Sequence, residues 1–248
     1  MYTKITGARC NRHKFVAACS LALTCFAAGL ASPSPILHKK RSALPLNQIL
    51  SQMNARAKSL KTVSADLAYT KVTVVVNDKS TESGKLFFQR GKNVAILIDF
   101  QKPEPKSVLL LLKQKKAEIY LPKSNQIQDF ELEKHSGLVE QFLLLGFGTE
   151  VGDLQKSYSI KLMGEEVLDG DTTAVLELTP RKSEVASQLS KVQLWVSEES
   201  WIPAQQEFFE SGGDYLIARY TDVKVNRELP SSTFRINAPK DVKHVKMG

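Results

Sequence analysis

Arg90 is the residue of this 248-residue chain whose surroundings most need a chemical explanation. It ends a strand-like run in which Gly84, Leu86, Phe88 and Arg90 share one face, because strand side chains repeat every two residues. After a short turn at Gly91–Asn93, Val94, Ile96, Ile98 and Phe100 share a face of a second strand. With both faces turned inward, one guanidinium closes an otherwise apolar wall. A charge in that place needs hydrogen-bonding partners or a task. The plainer reading is a strand-end arginine reaching solvent.

Other residues capable of chemistry are few. Beyond the N-terminal segment the histidines are His38, His135 and His244, far apart and without ligand-like neighbours. The sequence has no nucleophile elbow, zinc-binding helix or phosphate-cradling glycine loop. Glu165-Glu166 and Glu198-Glu199 are acidic pairs beside turns. Adjacent strand residues face opposite sides, so these pairs are poorly placed to act as acid and base, and they read as solvated turn charges. No catalytic residue, metal ligand or cofactor is expected, and the chain reads as a non-enzyme. Groups distant in sequence can still converge, so missing motifs lower the case for an enzyme without removing it.

The elements that must position Arg90 are mostly strands. A helix opens the body, with Leu46, Ile49, Leu50, Met53, Ala57 and Leu60 at helical spacing. Val63–Asn77 reads as one long β-branched strand and Asn77–Ser83 as a polar turn. After the Arg90 pair come Ser107–Lys113, Ala117–Leu121 and Gln126–Leu132, at intervals of about ten residues, as expected of an antiparallel meander, barrel or sandwich. Leu138, Val139, Phe142, Leu143 and Leu145 then form a short greasy helix ended by Gly146 and Gly148, and Glu150–Lys156 is a candidate helical turn. Strands resume at Ser157–Gly164 and Thr172–Thr179 around an Asp169-Gly170 hairpin turn. Ser183–Leu189 is a helical turn or polar loop. Lys191–Val196, Gln205–Phe209 and Tyr215–Val225 follow, and a short final strand holds Phe234 and Ile236.

Residues 1–31 read as an export signal. Lys4, Arg9, Arg12 and Lys14 precede an apolar run from Phe15, and Gly29-Leu30-Ala31 offers a cleavage site. An uncleaved membrane anchor is the alternative. All three cysteines, Cys10, Cys19 and Cys25, lie in this segment, so the exported chain would have neither disulfide nor thiol nucleophile. Val16-Ala17-Ala18-Cys19 has the form of a lipoprotein box, but Lys14 stands close before it and the apolar run continues past it, which disfavours lipidation. Residues 32–45 form a linker and 46–248 one domain. The signal carries four of the 34 basic residues, leaving 30 against 26 acidic. A nearly neutral body without an aromatic-laced basic patch gives no reason to expect nucleic acid as a partner. Lys240, Lys243 and Lys246 read as a solvated tail.

Several local motifs, in order, resemble the outer-membrane lipoprotein carrier (LolA-like) family. They are the opening helix Leu46–Lys61, Ser64-Ala65-Asp66-Leu67, and Gly84-Lys85-Leu86-Phe87-Phe88-Gln89-Arg90. Ile119-Tyr120-Leu121-Pro122 with Gln126, Leu194-Trp195-Val196 and Trp201-Ile202-Pro203 follow, then Asn226, Leu229-Pro230, Phe234-Arg235-Ile236 and Pro239. The resemblance implies a mainly β fold, an unclosed, curved antiparallel barrel covered by short helices. It implies a periplasmic monomer that takes lipoprotein acyl chains, or another lipid, from an inner-membrane releasing transporter to an outer-membrane acceptor. By the same resemblance Arg90 is a lid latch. The cavity lining is then Leu86, Phe88, Val94, Ile96 and Ile98, with Phe142, Leu143 and the opening helix in the lid. Gly91 and Val94 stand where the family usually has proline and an aromatic. An envelope-stress sensor or scaffold domain, binding lipid or mislocalised protein, is the alternative; an enzyme using the cavity is a third.

Overall fold

Period-two alternation and β-branched residues dictate a chain dominated by strands, and the computed structural model, which describes residues 44–91, 94–132, 145 and 147–247, has twelve of them in a single sheet. The signal and most of the linker lie outside the described residues. So does the segment holding Phe142 and Leu143.

Six strands run as an antiparallel meander: β1 (Thr62–Thr73), β2 (Asp78–Gln89), β3 (Ala95–Lys102), β4 (Lys106–Leu111), β5 (Lys116–Leu121) and β6 (Gln126–Glu131). A second meander holds β7 (Tyr158–Leu168), β8 (Asp171–Pro180), β9 (Leu189–Ser197), β10 (Pro203–Glu210) and β11 (Tyr215–Val225). β1 pairs antiparallel with β11 and joins the two halves. β12 (Lys243–Met247) adds in parallel to β6. The order is β12-β6-β5-β4-β3-β2-β1-β11-β10-β9-β8-β7, so two edges remain and the sheet is unclosed. Residues of β3 and β10, four places apart in that order, line one cavity, which requires strong curvature. This is the architecture the resemblance implies.

Three hairpins close on the same device, a 3₁₀ turn followed by a left-handed residue: Val74–Val76 with Asn77, Leu112–Gln114 with Lys115, and Pro122–Ser124 with Asn125. In each, the left-handed residue donates its main-chain N–H to the carbonyl of the first turn residue. Asparagine tolerates that conformation better than most residues. The expected hairpin at Asp169-Gly170 has positive φ at both positions, 51° and 86°, as a two-residue type I′ turn requires. Gly84 sits where an added Cβ would meet the Asp99 carbonyl and the Phe100 backbone, so only glycine lets β2 and β3 approach there.

Among the described residues there are three α-helices: α1 (Leu46–Ser59), α2 (Val151–Ser157) and the single turn α3 (Ser183–Ala186). Ile49, Leu50 and Met53 of α1 share a buried cluster with Leu154 of α2 and with Leu176, Leu194 and Phe208 of β8, β9 and β10. A second cluster joins β1–β5, with Leu67, Leu86, Phe88, Ile96 and Phe100 at its heart. The helices thus cover the β8–β10 half of the sheet.

Several local expectations are corrected. The long strand from Val63 stops at Thr73, and the expected polar turn Asn77–Ser83 is the start of β2. Residues 77–81 are exposed on both faces, so no alternation marks them as strand. Phe234 and Ile236 are not in a strand. The basic tail is not free, because Lys243–Met247 forms β12, held by main-chain pairing that leaves no hydrophobic signature. Glu198 is only 7% exposed and is not a solvated turn charge.

Candidate functional site

The concave side of β1–β4 and β10–β11 encloses a cavity of about 700 Å³. Its wall is apolar: Leu67, Leu86, Ile98 and Val108 come from the first meander, and Phe208, Leu216 and Ala218 from the second. Alternation within each strand puts these residues inside, and the β1–β11 pairing brings the two sets face to face.

Charge is confined to one end. Tyr69 and Glu82 are opposite each other in the β1–β2 register and stand at the mouth with Lys106 and Glu210. Lys106 Nζ lies 2.6 Å from Glu82 and 4.8 Å from the centre of the Phe100 ring. Burial, with smaller contributions from Glu82 and Glu210, pushes the Tyr69 phenol above its ordinary pKa. At the inner end Gln206 is 1% exposed. It accepts a 2.6 Å hydrogen bond from the Tyr220 hydroxyl and donates to the Leu145 carbonyl. The Phe147 ring stands edge-on to Tyr220 at 4.9 Å. Burial, and secondarily the charge of Tyr69, pushes the Tyr220 phenol far up, so it stays a neutral donor. A satisfied polar pair at the end of an apolar channel costs little and fixes local geometry.

Arg90 lies at the opposite end of β2. Its Nη1 donates to the Ala57 carbonyl in the last turn of α1 at 2.7 Å, and Nη2 donates to the Gly148 carbonyl. The guanidinium therefore satisfies a carbonyl at the negative end of a helix and ties that helix to the segment before α2. Asn226 completes the cap, donating to the Ser59 carbonyl at 3.0 Å and accepting from the Lys61 N–H at 2.7 Å. Gly148 has φ 76°, and an added Cβ would stand 2.7 Å from Arg90 Nη2. A glycine at this position serves both the turn and the arginine contact.

The residues singled out in the sequence divide into four groups. Leu86 and Ile98 line the cavity. Phe88 and Ile96 lie on the same strand faces but are each 1% exposed, packed in the cluster that holds Leu60, Leu110 and Phe147. Val94 borders a separate hollow beside Arg90, Leu112, Phe147 and Gly148. Phe142 and Leu143 fall outside the described residues. The opening helix meets Arg90, yet its apolar face packs on β8–β10 and none of its residues lines the cavity. Sequence reading misses the wall of β10 and β11; the alternation of Leu216, Ala218 and Tyr220 is the available signal, but it names a partner only once β11 is known to pair with β1. Among the described residues no three His, Cys, Asp or Glu side chains converge to hold a metal, and no helix is long and apolar enough to cross a membrane.

Residues 92–231 match a family model described as an uncharacterized-protein-like family. No curated protein matches the chain. An uncharacterized conserved protein from Thermus thermophilus superposes with a TM-score of 0.52 at 14% identity, over 81% of this chain and 99% of that one. MucB superposes with a TM-score of 0.51 at 12% identity, over 77% of this chain, which spans only 62% of MucB. A LolA superfamily protein from Nitrosomonas europaea gives a TM-score of 0.37 at 18% identity, over 78% of this chain and 99% of that one. At such identities the likeness is one of fold. The unclosed, helix-covered β-sheet implied by the motifs is the one observed, and it is shared with the Thermus thermophilus protein and with MucB.

Proposed function

The chain belongs to the uncharacterized-protein-like family matched over residues 92–231, and we propose that its concave cavity holds the acyl chain of a lipid or lipoprotein and carries it through the periplasm. The observation that supports this is the cavity itself: an apolar wall contributed by both halves of the sheet, with charge kept to the mouth. Its volume of about 700 Å³ falls within the roughly 300–1,000 Å³ typical of small-molecule sites. Each methylene moved from water to such a wall gains roughly 0.8 kcal/mol. A carrier with this interior takes a chain from one apolar host and yields it to another with a small net change in free energy. The releasing transporter of the inner membrane and the acceptor of the outer membrane are its donor and recipient in this reading.

The groups around the cavity favour binding over catalysis. Glu82 is paired with Lys106, both phenols are held protonated, and the Ser211 hydroxyl donates to the Ser187 carbonyl. A second reading, a domain that senses lipid or mislocalised protein and reports to a partner, draws on the fold shared with MucB, a protein solved in complex with MucA(peri).

Titration with fatty acids of increasing length tests the cavity directly. Affinity is expected to rise by up to about fourfold per added methylene and to level off once the cavity is filled. An affinity independent of chain length would overturn the reading.

A further inference from the structure

Val74, Val75 and Val76 sit at the apex of the β1–β2 hairpin and are 51%, 88% and 69% exposed. Three consecutive aliphatic side chains in water are costly at a position that any polar residue could fill. The other two turns of the same backbone design show the contrast: they present Lys113 and Gln114, or Lys123 and Ser124, to solvent. Backbone geometry therefore does not demand the valines.

The hairpin also extends past the sheet on one side. The β2–β3 pairing begins at Ser83 opposite Lys102, so residues 78–82 of β2 have no strand partner on that side, while β1 stays paired with β11 as far as Val72. The apex is nonetheless held firmly. The Val74 N–H donates to Asp214 Oδ1 at 3.0 Å, the Asn77 N–H donates to the Val74 carbonyl, and the Thr70 and Thr81 hydroxyls bond across the ladder at 2.8 Å. It is a presented tip rather than a frayed one.

Its position relative to the cavity is fixed by register. Tyr69 and Glu82, the paired residues at the mouth, are followed by four further pairs and then the valines. At a rise of about 3.3 Å per residue the apex lies roughly 15 Å beyond the mouth. Asp214, which anchors Val74, follows Ser211 and Gly212, and these two border the same opening. Arg90 and the end of α1 are at the far end of β2.

We propose that the Val74–Val76 turn is a membrane-contact tip, which enters the lipid interface and sets the cavity mouth against the bilayer; this rests on the carrier reading above. The occupant follows from size and chemistry. A stable protein interface buries about 800 Å² per partner around aromatic or arginine anchors, and a narrow turn of three valines supplies neither. A bilayer accepts an aliphatic tip of any width. Lys71 and Lys79, beside the apex on β1 and β2, are placed to meet lipid phosphates. So small an apolar insertion gives weak, reversible attachment, which suits a protein that must leave the membrane with its cargo.

Hydrogen exchange of the exported protein, with and without vesicles of phosphatidylethanolamine and phosphatidylglycerol, tests the tip locally. Vesicles are expected to slow exchange several-fold in a peptide spanning residues 72–79. The Pro122–Asn125 turn, which has the same backbone form, serves as the internal control and should not change. Val75→Leu should keep the protection and Val75→Asp should abolish it, while both variants bind fatty acid in the cavity as the parent does. The proposal is overturned by no protection in the parent, by protection that survives Val75→Asp, or by protection that needs added envelope protein and not vesicles. Vesicle protection in a protein that binds no fatty acid would uphold the tip and defeat the carrier reading instead.

Discussion

Replacing Leu216 by tryptophan is expected to lower acyl-chain affinity at least tenfold while leaving the fold intact. Leu216 lies on β11, lines the cavity and is only partly buried. An indole there has open cavity to enter and no closed core to disrupt. Excluding even two methylenes of a bound chain costs about 1.6 kcal/mol, a factor of roughly fifteen. Displacement of a fluorescent fatty acid measures the loss, and an unchanged unfolding midpoint shows that it is local. Val108, on the facing wall from β4, should respond in the same way. Affinity unaltered by both substitutions would mean that the chain binds elsewhere.

Arg90→Leu should have the second largest effect, and on a different step. The guanidinium joins the last turn of α1 at Ala57 to the Gly148 carbonyl. Hydrogen bonds from a charged donor are worth about 1.5–3 kcal/mol each, and a cation at a helix C-terminus adds about 0.3–1 kcal/mol. Losing both bonds and the helix-end charge should destabilise the empty protein by about 3–7 kcal/mol, read as a lower denaturation midpoint. In the carrier reading the bonds open as cargo enters and re-form as it leaves. Loading should then be unimpaired, while release to acceptor vesicles becomes roughly thirtyfold less favourable for each 2 kcal/mol removed from the empty state. Unchanged stability together with unchanged transfer would return Arg90 to an ordinary strand-end residue.

These two residues also show what the sequence can and cannot reveal. The inward faces of β2 and β3 are legible because Leu86 and Phe88, and Ile96 and Ile98, alternate with outward residues. Which of them meet open space is not legible, since periodicity reports a face and not the depth at which opposing walls close. Leu86 and Ile98 meet the cavity because β11 brings Leu216 and Ala218 opposite them. Phe88 and Ile96, one step nearer Arg90, are sealed against Leu60 and Phe147. Arg90 stands out in the sequence as a charge closing an apolar wall, and its partners are main-chain carbonyls, which no sequence pattern can announce. The same holds for β12, whose five residues are exposed and held by backbone pairing with β6 and a single side-chain contact from His244 to Asp129. The start of β2 is hidden for a related reason: residues 78–81 are exposed on both faces and show no alternation. Its valine apex reads as the end of a strand because β-branched residues favour strands wherever they occur.

The central claim, that the cavity carries an acyl chain, is tested most directly by mass spectrometry of the intact protein purified from the cell envelope without detergent or solvent. The account predicts a complex with an acyl-chain lipid that is lost on organic extraction and absent from Leu216→Trp. Protein that emerges empty, and that stays empty when offered lipid, would contradict it.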